Sequence, residues 1–317
     1  MMDYTIYYKN TLPANDDWKE QWDIYISAYN SSDRVNEVFD KANAVQKYWV
    51  IQPDYEYAEK DYPTSGIKFV SGQRDEGEFI KEFLEFLGEE TVDKKICIDI
   101  TGFIKPYMMT LFFLLKHKGI KKVDVLYSEP EKYVKKEETK FSNEFVREVR
   151  QVAGFMGCHD TVTSNDVLII GAGYDDQLIS QVAKDKDNCR KIQVYGLPSL
   201  RPDMYQENIL NANQASEALG VDPGNSPKKK FAPANDPFVT AQTLNEIYLE
   251  LNREKTITNL YLSPLATKPQ ALGFTLFYLF ECQGKNISMI YPFCDSHAKT
   301  TSDGISRIWK YVVEFPN

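Results

Sequence analysis

Asp23-Ile24-Tyr25-Ile26-Ser27-Ala28-Tyr29-Asn30-Ser31-Ser32-Asp33, continuing to Lys41, lines up without a gap on Asp166-Val167-Leu168-Ile169-Ile170-Gly171-Ala172-Gly173-Tyr174-Asp175-Asp176, continuing to Lys184. Each stretch reads as an apolar run, a short loop and an amphipathic segment of helical period. Only four of the nineteen positions are identical, so the weight rests on the match continuing downstream. Lys47-Tyr48-Trp49-Val50-Ile51-Gln52-Pro53 answers Lys191-Ile192-Gln193-Val194-Tyr195 and its Pro198. Ile96-Cys97-Ile98-Asp99-Ile100-Thr101-Gly102-Phe103-Ile104-Lys105-Pro106 answers Leu260-Tyr261-Leu262-Ser263-Pro264-Leu265-Ala266-Thr267-Lys268-Pro269. A repeat this long is a domain and not a solenoid unit.

Working outward from the repeat, strands are expected at 24–28, 47–52, 95–100 and 122–127, with helices at 33–43, 75–87 and 107–118. The second half repeats the alternation, with strands near 166–171, 191–196, 258–263 and 286–291 and helices near 176–185, 203–219, 237–253 and 270–283. The strands are continuous apolar runs, as a parallel sheet covered on both faces demands. The fold class is therefore α/β, two tandem Rossmann-like parallel-sheet domains from an internal duplication. The boundaries are 1–130 for the first half, 131–160 for a connector and 161–317 for the second. The connector is expected to be helical, because Asn143 to Val152 is amphipathic. Val221 to Asp236, rich in Pro, Asn, Gly and Lys, reads as a mobile loop.

With 317 residues, 43% of them hydrophobic and 26% charged, the chain is long enough for two cores. Its net charge of -9 argues against coating long nucleic acid, which draws most of its affinity from Lys and Arg on phosphates. Five cysteines without CxxC spacing and three histidines leave little for a zinc site, and Cys97 reads as a buried apolar residue. The first residues show no secretory signal, and the longest apolar run, Tyr107 to Leu115, is too short to span a bilayer. A cytoplasmic protein without membrane contact is the expectation.

Ligands of open parallel sheets bind beyond the carboxyl ends of the strands, where helix N-termini present unpaired NH groups. The loops there are 27–33, 101–106, 171–176 and 263–269. In the second half, Gly171, Gly173 and Tyr174 suggest a dinucleotide or S-adenosylmethionine turn. Asp175 and Asp176 work against a pyrophosphate there and suit helix capping. Asn30 and Ser31 occupy the matching loop of the first half and can line a pocket or cap a helix. Lys105 and Lys268 read as helix N-caps ahead of Pro106 and Pro269. A cation at the positive end of a helix is unfavourable, so two copies of it suggest an anion between them, with Thr101, Ser263 and Thr267 as hydroxyl donors. Both lysines reaching only into solvent is the competing account. Arg201 follows the second strand of the second half and can clamp a phosphate, or simply decorate a loop. Arg307 and Lys310 face the same cleft or solvate the last strand. Tyr29 and Tyr174 stand where a base can stack, and Tyr291 reads as core.

The strand leading into Asp99-Ile100-Thr101-Gly102-Phe103-Ile104-Lys105-Pro106 and its helix resembles the ligand-binding loop of CRISPR-associated Rossmann-fold (CARF) domains. The resemblance implies a cyclic oligoadenylate ligand at a two-fold seam and a role in antiviral defence. Thr101, Gly102 and Lys105 would be ligand contacts, with Thr267 and Lys268 their partners across a pseudo-two-fold. The second copy lacks the glycine, and no effector nuclease motif follows, so a separate effector protein is implied.

The leading expectation is a sensor or regulatory protein with an anion pocket at the seam of its halves, taking a nucleotide or cyclic oligonucleotide and needing no cofactor. A variant cleaves its ligand as a metal-independent phosphodiesterase, Lys105 stabilising the developing charge. The rivals are a dinucleotide- or S-adenosylmethionine-dependent enzyme at Gly171 to Asp176 and a protein-binding scaffold.

Overall fold

The structure, a computed structural model, describes residues 2–14, 18–133, 146–173, 175–201, 219, 228–299 and 302–316. The elements in chain order are β1 (Lys9–Leu12), β2 (Trp22–Ala28), α1 (Asp33–Lys41), β3 (Ala44–Ile51), β4 (Ile67–Val70), α2 (Glu76–Leu87), β5 (Ile96–Asp99), α3 (Lys105–His117), β6 (Lys122–Tyr133) and β7 (Val146–Gln151). They continue as β8 (Val167–Gly171), α4 (Asp176–Asp185), β9 (Arg190–Gly196), β10 (Lys228–Ala232), α5 (Pro237–Glu254), β11 (Leu260–Pro264), α6 (Lys268–Phe277), β12 (Ile287–Cys294) and β13 (Ser302–Glu314).

The chain forms two compact units. The first holds Tyr7–Glu144 and Ser296–Asn317, the second Met1–Ile6 and Phe145–Asp295. The first unit carries a seven-stranded sheet ordered β1-β13-β6-β5-β2-β3-β4, and the second a six-stranded sheet ordered β10-β9-β8-β11-β12-β7. Numbering only the five parallel strands of either unit along the chain gives the order 3-2-1-4-5 twice, an open doubly wound sheet. The α/β class with two Rossmann-like sheets thus stands.

The repeat is visible at the level of single bonds. Asp23 and Asp166, one of the four identities, each brace the start of the neighbouring parallel strand. Asp23 Oδ2 accepts from the Lys95 amide at 2.7 Å, and Asp166 Oδ1 from the Asn259 amide at 3.1 Å. Another identity, Asp33 and Asp176, opens α1 and α4, where a carboxylate complements the helix dipole.

Beyond its fifth parallel strand each sheet gains an antiparallel strand, and the chain supplies these crosswise. β7 follows β6 in sequence yet pairs with β12, while β13 follows β12 yet pairs with β6 along eleven registered positions. This departs from the expected boundaries in two places. Residues 146–151, inside the expected helical connector, form a strand, because pairing with Ile290–Cys294 outweighs an amphipathic pattern that also suits a half-buried strand. The last strand belongs to the first unit and not to the second half. Two short edge strands were not expected: β4 falls in a stretch given no element, and β10 in one read as loop. Lys228–Ala232, in the expected mobile loop, pairs in parallel with β9. The expected helix 203–219 and residues 221–227 lie outside the described residues.

The core of the first unit on its α1 face joins Val35, Val38 and Phe39 of the helix to Trp22, Tyr25, Trp49, Cys97 and Leu126 of the sheet. Phe39 stacks on Trp49 with ring centres 3.7 Å apart. Each fully buried side chain of this size contributes roughly 1.5–3 kcal/mol relative to exposure. Cys97 is buried as expected, and burial pushes its thiol far up, out of the reactive range. Tyr291 is likewise core, packed edge-on to Phe293. Among the described residues no helix is long and apolar enough to cross a membrane.

Candidate functional site

The topological switch point of each sheet lies between parallel strands 1 and 4, where the loops after β2 and β5, or after β8 and β11, meet. Both crossings are closed by backbone packed on backbone. In the first unit, a Cβ on Gly102 would lie 1.9 Å from the Ala28 carbonyl oxygen. In the second, a Cβ on Gly173 would lie 2.2 Å from the Leu265 carbonyl oxygen, and one on Gly171 would meet the Phe274 ring at 3.1 Å. The glycines of the 171–176 turn are therefore spent on packing against the chain itself, which accounts for them without a cofactor. Asp175 caps α4, accepting from the Leu178 amide at 3.2 Å. Tyr174 lies outside the described residues.

Around the first crossing the loop after β2 is tied down locally. Asn30 Oδ1 accepts from the Ser32 amide, and the Ser31 amide donates to the Tyr57 hydroxyl. Tyr29 packs edge-on against Trp49 and tilts onto Tyr57, while its hydroxyl bonds the Asp61 carbonyl, so it belongs to the wall and not to an open stacking platform. Thr101 is buried, and its hydroxyl accepts from the Ser128 amide at 3.0 Å. Asp99 accepts from the Thr101 amide, and Tyr55 donates to the Gly102 carbonyl at 2.9 Å. Burial drives the Tyr55 phenol well above its ordinary pKa and keeps it a donor at neutral pH.

Lys105 and Lys268 open α3 and α6 as first helical residues, with Pro106 and Pro269 second. This is one position inside the expected N-cap placement, because Ile104 and Thr267 hold the extended cap conformation. The two helix starts differ. Thr267 caps α6 by accepting from the Gln270 amide at 3.3 Å, and it donates to the Ala234 carbonyl. Ile104 offers α3 no side-chain cap. In its place Gln52, 1% exposed, accepts from the Ile104 amide at 3.0 Å, and its Nε2 has no hydrogen-bond partner. The Ile104 N–H fixes which end of the carboxamide is oxygen, so the unused group beside this helix start is a donor.

Sequence reasoning passed over Gln52, Ser128 and Arg34. Arg34, second residue of α1, is 8% exposed. Its Nη1 donates to the Ser128 carbonyl, and its Nε has no partner among the described residues. Ser27 on β2 lies level with Asp99 on β5, and the Ser27 and Ser128 hydroxyls are also buried without partners. Register places Ile170, Ser263 and Pro292 at the matching positions of the second unit, where the Ser263 hydroxyl is buried and unpaired among the described residues. A signal existed: Arg34 shares a helix face with Val35, Val38 and Phe39, which a solvent-facing arginine would not.

Of the remaining candidates, Arg201 borders residues outside the described set, its carbonyl accepting from the Ser199 hydroxyl. Arg307 lies over the Trp309 ring at 5.3 Å. Lys310, expected at a cleft or in solvent, is instead buried in an ion cluster with Glu20 and Asp124, the latter at 3.0 Å. Asp124 also accepts from the Trp22 indole.

The candidate residues thus fall into two sets. Asn30, Ser31, Thr101, Gly102 and Lys105 frame the first crossing, and Gly171, Gly173, Ser263, Thr267 and Lys268 the second. No protein-family model matches the sequence, and no curated protein matches it. Among solved structures it is similar to one described as an N-terminal ketoreductase from a macrolactin assembly line, at 12% identity over 89% of this chain and 72% of that one. The TM-score of 0.23 is too low for that likeness to bear on activity.

Proposed function

We propose that the chain binds an anionic, nucleotide-type ligand at the carboxyl edge of the first unit's parallel strands and acts as a sensor or regulatory protein. One observation carries the reading: the thirteen-residue helix α3 begins without a side-chain cap, with Lys105 as its first residue, while the buried Gln52 carboxamide accepts from the Ile104 amide at the helix start and its Nε2 has no partner among the described residues. Helix NH groups, the dipole and an ammonium acting together favour an oxyanion. The resemblance of Asp99 to Pro106 to the CARF loop favours an oligonucleotide, cyclic or linear, over a mononucleotide, and a separate effector protein would read the bound state. Charge developing on a phosphoryl oxygen during cleavage would fall to Lys105.

A thermal-shift panel of AMP, cyclic oligoadenylates, NAD and S-adenosylmethionine tests the reading. The true ligand stabilises by about 2.7 kcal/mol at a hundred times its dissociation constant. Stabilisation by a cyclic oligoadenylate that is lost in Lys105→Ala supports the proposal. Stabilisation only by NAD or S-adenosylmethionine, insensitive to Lys105, moves the function to an enzyme of another class. Linear products accumulating from a cyclic oligonucleotide in excess chelator would add a metal-independent phosphodiesterase activity.

A further inference from the structure

We infer that Arg34 is an anion-binding residue whose Nε and Nη2 edge takes two oxygens of a phosphate-type group. This rests on the carboxyl edge of the first sheet being the ligand site, and it names a contact that the Lys105 loop does not include.

A guanidinium is charged at every accessible pH, and burying it is costly unless a counter-charge or a full set of acceptors meets it. Arg34 is 8% exposed yet forms no ion pair with any carboxylate among the described residues. Its one hydrogen bond, from Nη1 to the Ser128 carbonyl, occupies the end-on face and leaves the side-on pair, Nε with Nη2, for a bidentate oxyanion. The opposite side, Nε with its neighbouring amino group, is the fork that matches carboxylate and phosphate geometry, and Nε there has no acceptor. The Tyr55 phenol stands close enough to feel the guanidinium charge, and it donates to the Gly102 carbonyl within the same crossing. A purely structural arginine would be paired, as Lys310 is by Glu20 and Asp124 in this same unit. At the corresponding position of the second unit, the second residue of α4, the chain has Gln177, which is exposed. A buried cation at this helix position is thus particular to the first unit.

The test follows the Nε–H resonance of Arg34 in protein labelled uniformly with carbon-13 and nitrogen-15. The signal is assigned through its own side-chain and backbone connectivities, so no variant need fold. Pyrophosphate, AMP and cyclic tetra-adenylate are titrated in turn, alongside the thermal shifts of wild type, Arg34→Lys and Lys105→Ala. The expected result is a saturable movement of the Arg34 signal with pyrophosphate and at least one nucleotide, with affinity about tenfold weaker in Arg34→Lys, which keeps the charge and loses the fork. A signal unmoved by all three probes, while a Lys105-dependent thermal shift persists, overturns the inference and leaves the nucleotide reading standing. Movement with pyrophosphate while no nucleotide binds upholds Arg34 and removes the nucleotide. An unmoved signal with no thermal shift removes both.

Discussion

Both units close the switch point of the same five-stranded order by laying one loop's backbone on the other's, but they place the necessary glycine on opposite loops. In the first unit it is Gly102, after parallel strand 4, against Ala28; in the second it is Gly173, after parallel strand 1, against Leu265. The requirement belongs to the crossing, which leaves no room for one Cβ, and either loop can meet it. Around that common constraint the units diverge. The first packs Arg34, Gln52, Ser27 and Ser128 into its strand edge with hydrogen-bonding capacity unused, while the second fills matching positions with Ile170 and Pro292 and caps its helix with Thr267. Both crossings keep a buried hydroxyl unpaired among the described residues, Ser27 in the first and Ser263 in the second, but the first adds Gln52 Nε2 and Arg34 Nε.

The sharpest way to break this comparison is to add the missing methyl at both crossings. Gly102→Ala and Gly173→Ala should each cost about 3 kcal/mol or more, because the obstruction is backbone and cannot step aside. Urea denaturation measures both, and a Gly173→Ala protein of wild-type stability would dissolve the parallel between the units.

Next in size is the buried ion cluster of the first unit. Lys310→Met should cost about 3 kcal/mol at neutral pH, leaving Asp124 and Glu20 without their cation. Burial alone would raise Glu20, but hydrogen bonds from Lys310 and Lys95 outweigh it and set its pKa below the ordinary 4.5. A depressed carboxylate contributes stability that is present above its ordinary value and lost as pH falls through the depressed one. Burial likewise works against the Lys310 cation, and its bonds to Glu20 and Asp124 win, so its contribution is full below 10.5 and fades at strongly alkaline pH. The gap between wild type and Lys310→Met should therefore begin to narrow as pH falls below about 4.5 and close only below the depressed Glu20 value, in denaturation midpoints followed against pH.

Smaller again is the functional asymmetry. Lys105→Ala should abolish most of a ligand-induced stabilisation of about 2.7 kcal/mol, whereas Lys268→Ala, beside a helix start already capped by Thr267, should leave it nearly intact. Equal losses in the two variants would restore an equivalence that the helix starts do not have. Smallest is Asp175→Ala, which removes a helix cap and should cost about 1 kcal/mol with no change in any ligand response. A lost response there would return the 171–176 turn to the binding site.

Much of the fold was legible because it depends on patterns a linear chain displays. Buried parallel strands read as apolar runs, and amphipathic helices such as Asp33–Lys41 and Asp176–Asp185 begin where their acidic starts indicate. The edge strands β4 and β10 escaped because Ile67–Val70 and Lys228–Ala232 are mostly exposed and carry no such pattern. The site was half legible. Thr101 and Lys105 stand out by their place in a repeated loop, but Gln52 and Arg34 gain their meaning from what surrounds them.

By itself, the sequence determined the order of the central parallel strands and the helices between them, the repeat, and the loops at the carboxyl ends of those strands, since all of these follow from local hydrophobic period and capping chemistry. The tertiary structure alone decided that β7 and β13 are supplied crosswise, that Gly173 is spent on the Leu265 carbonyl, and that Arg34 is buried with its Nε unpartnered among the described residues. Strand pairing and desolvation join residues far apart in the chain, and the cost of burying a charge exists only once the rest of the chain has closed around it.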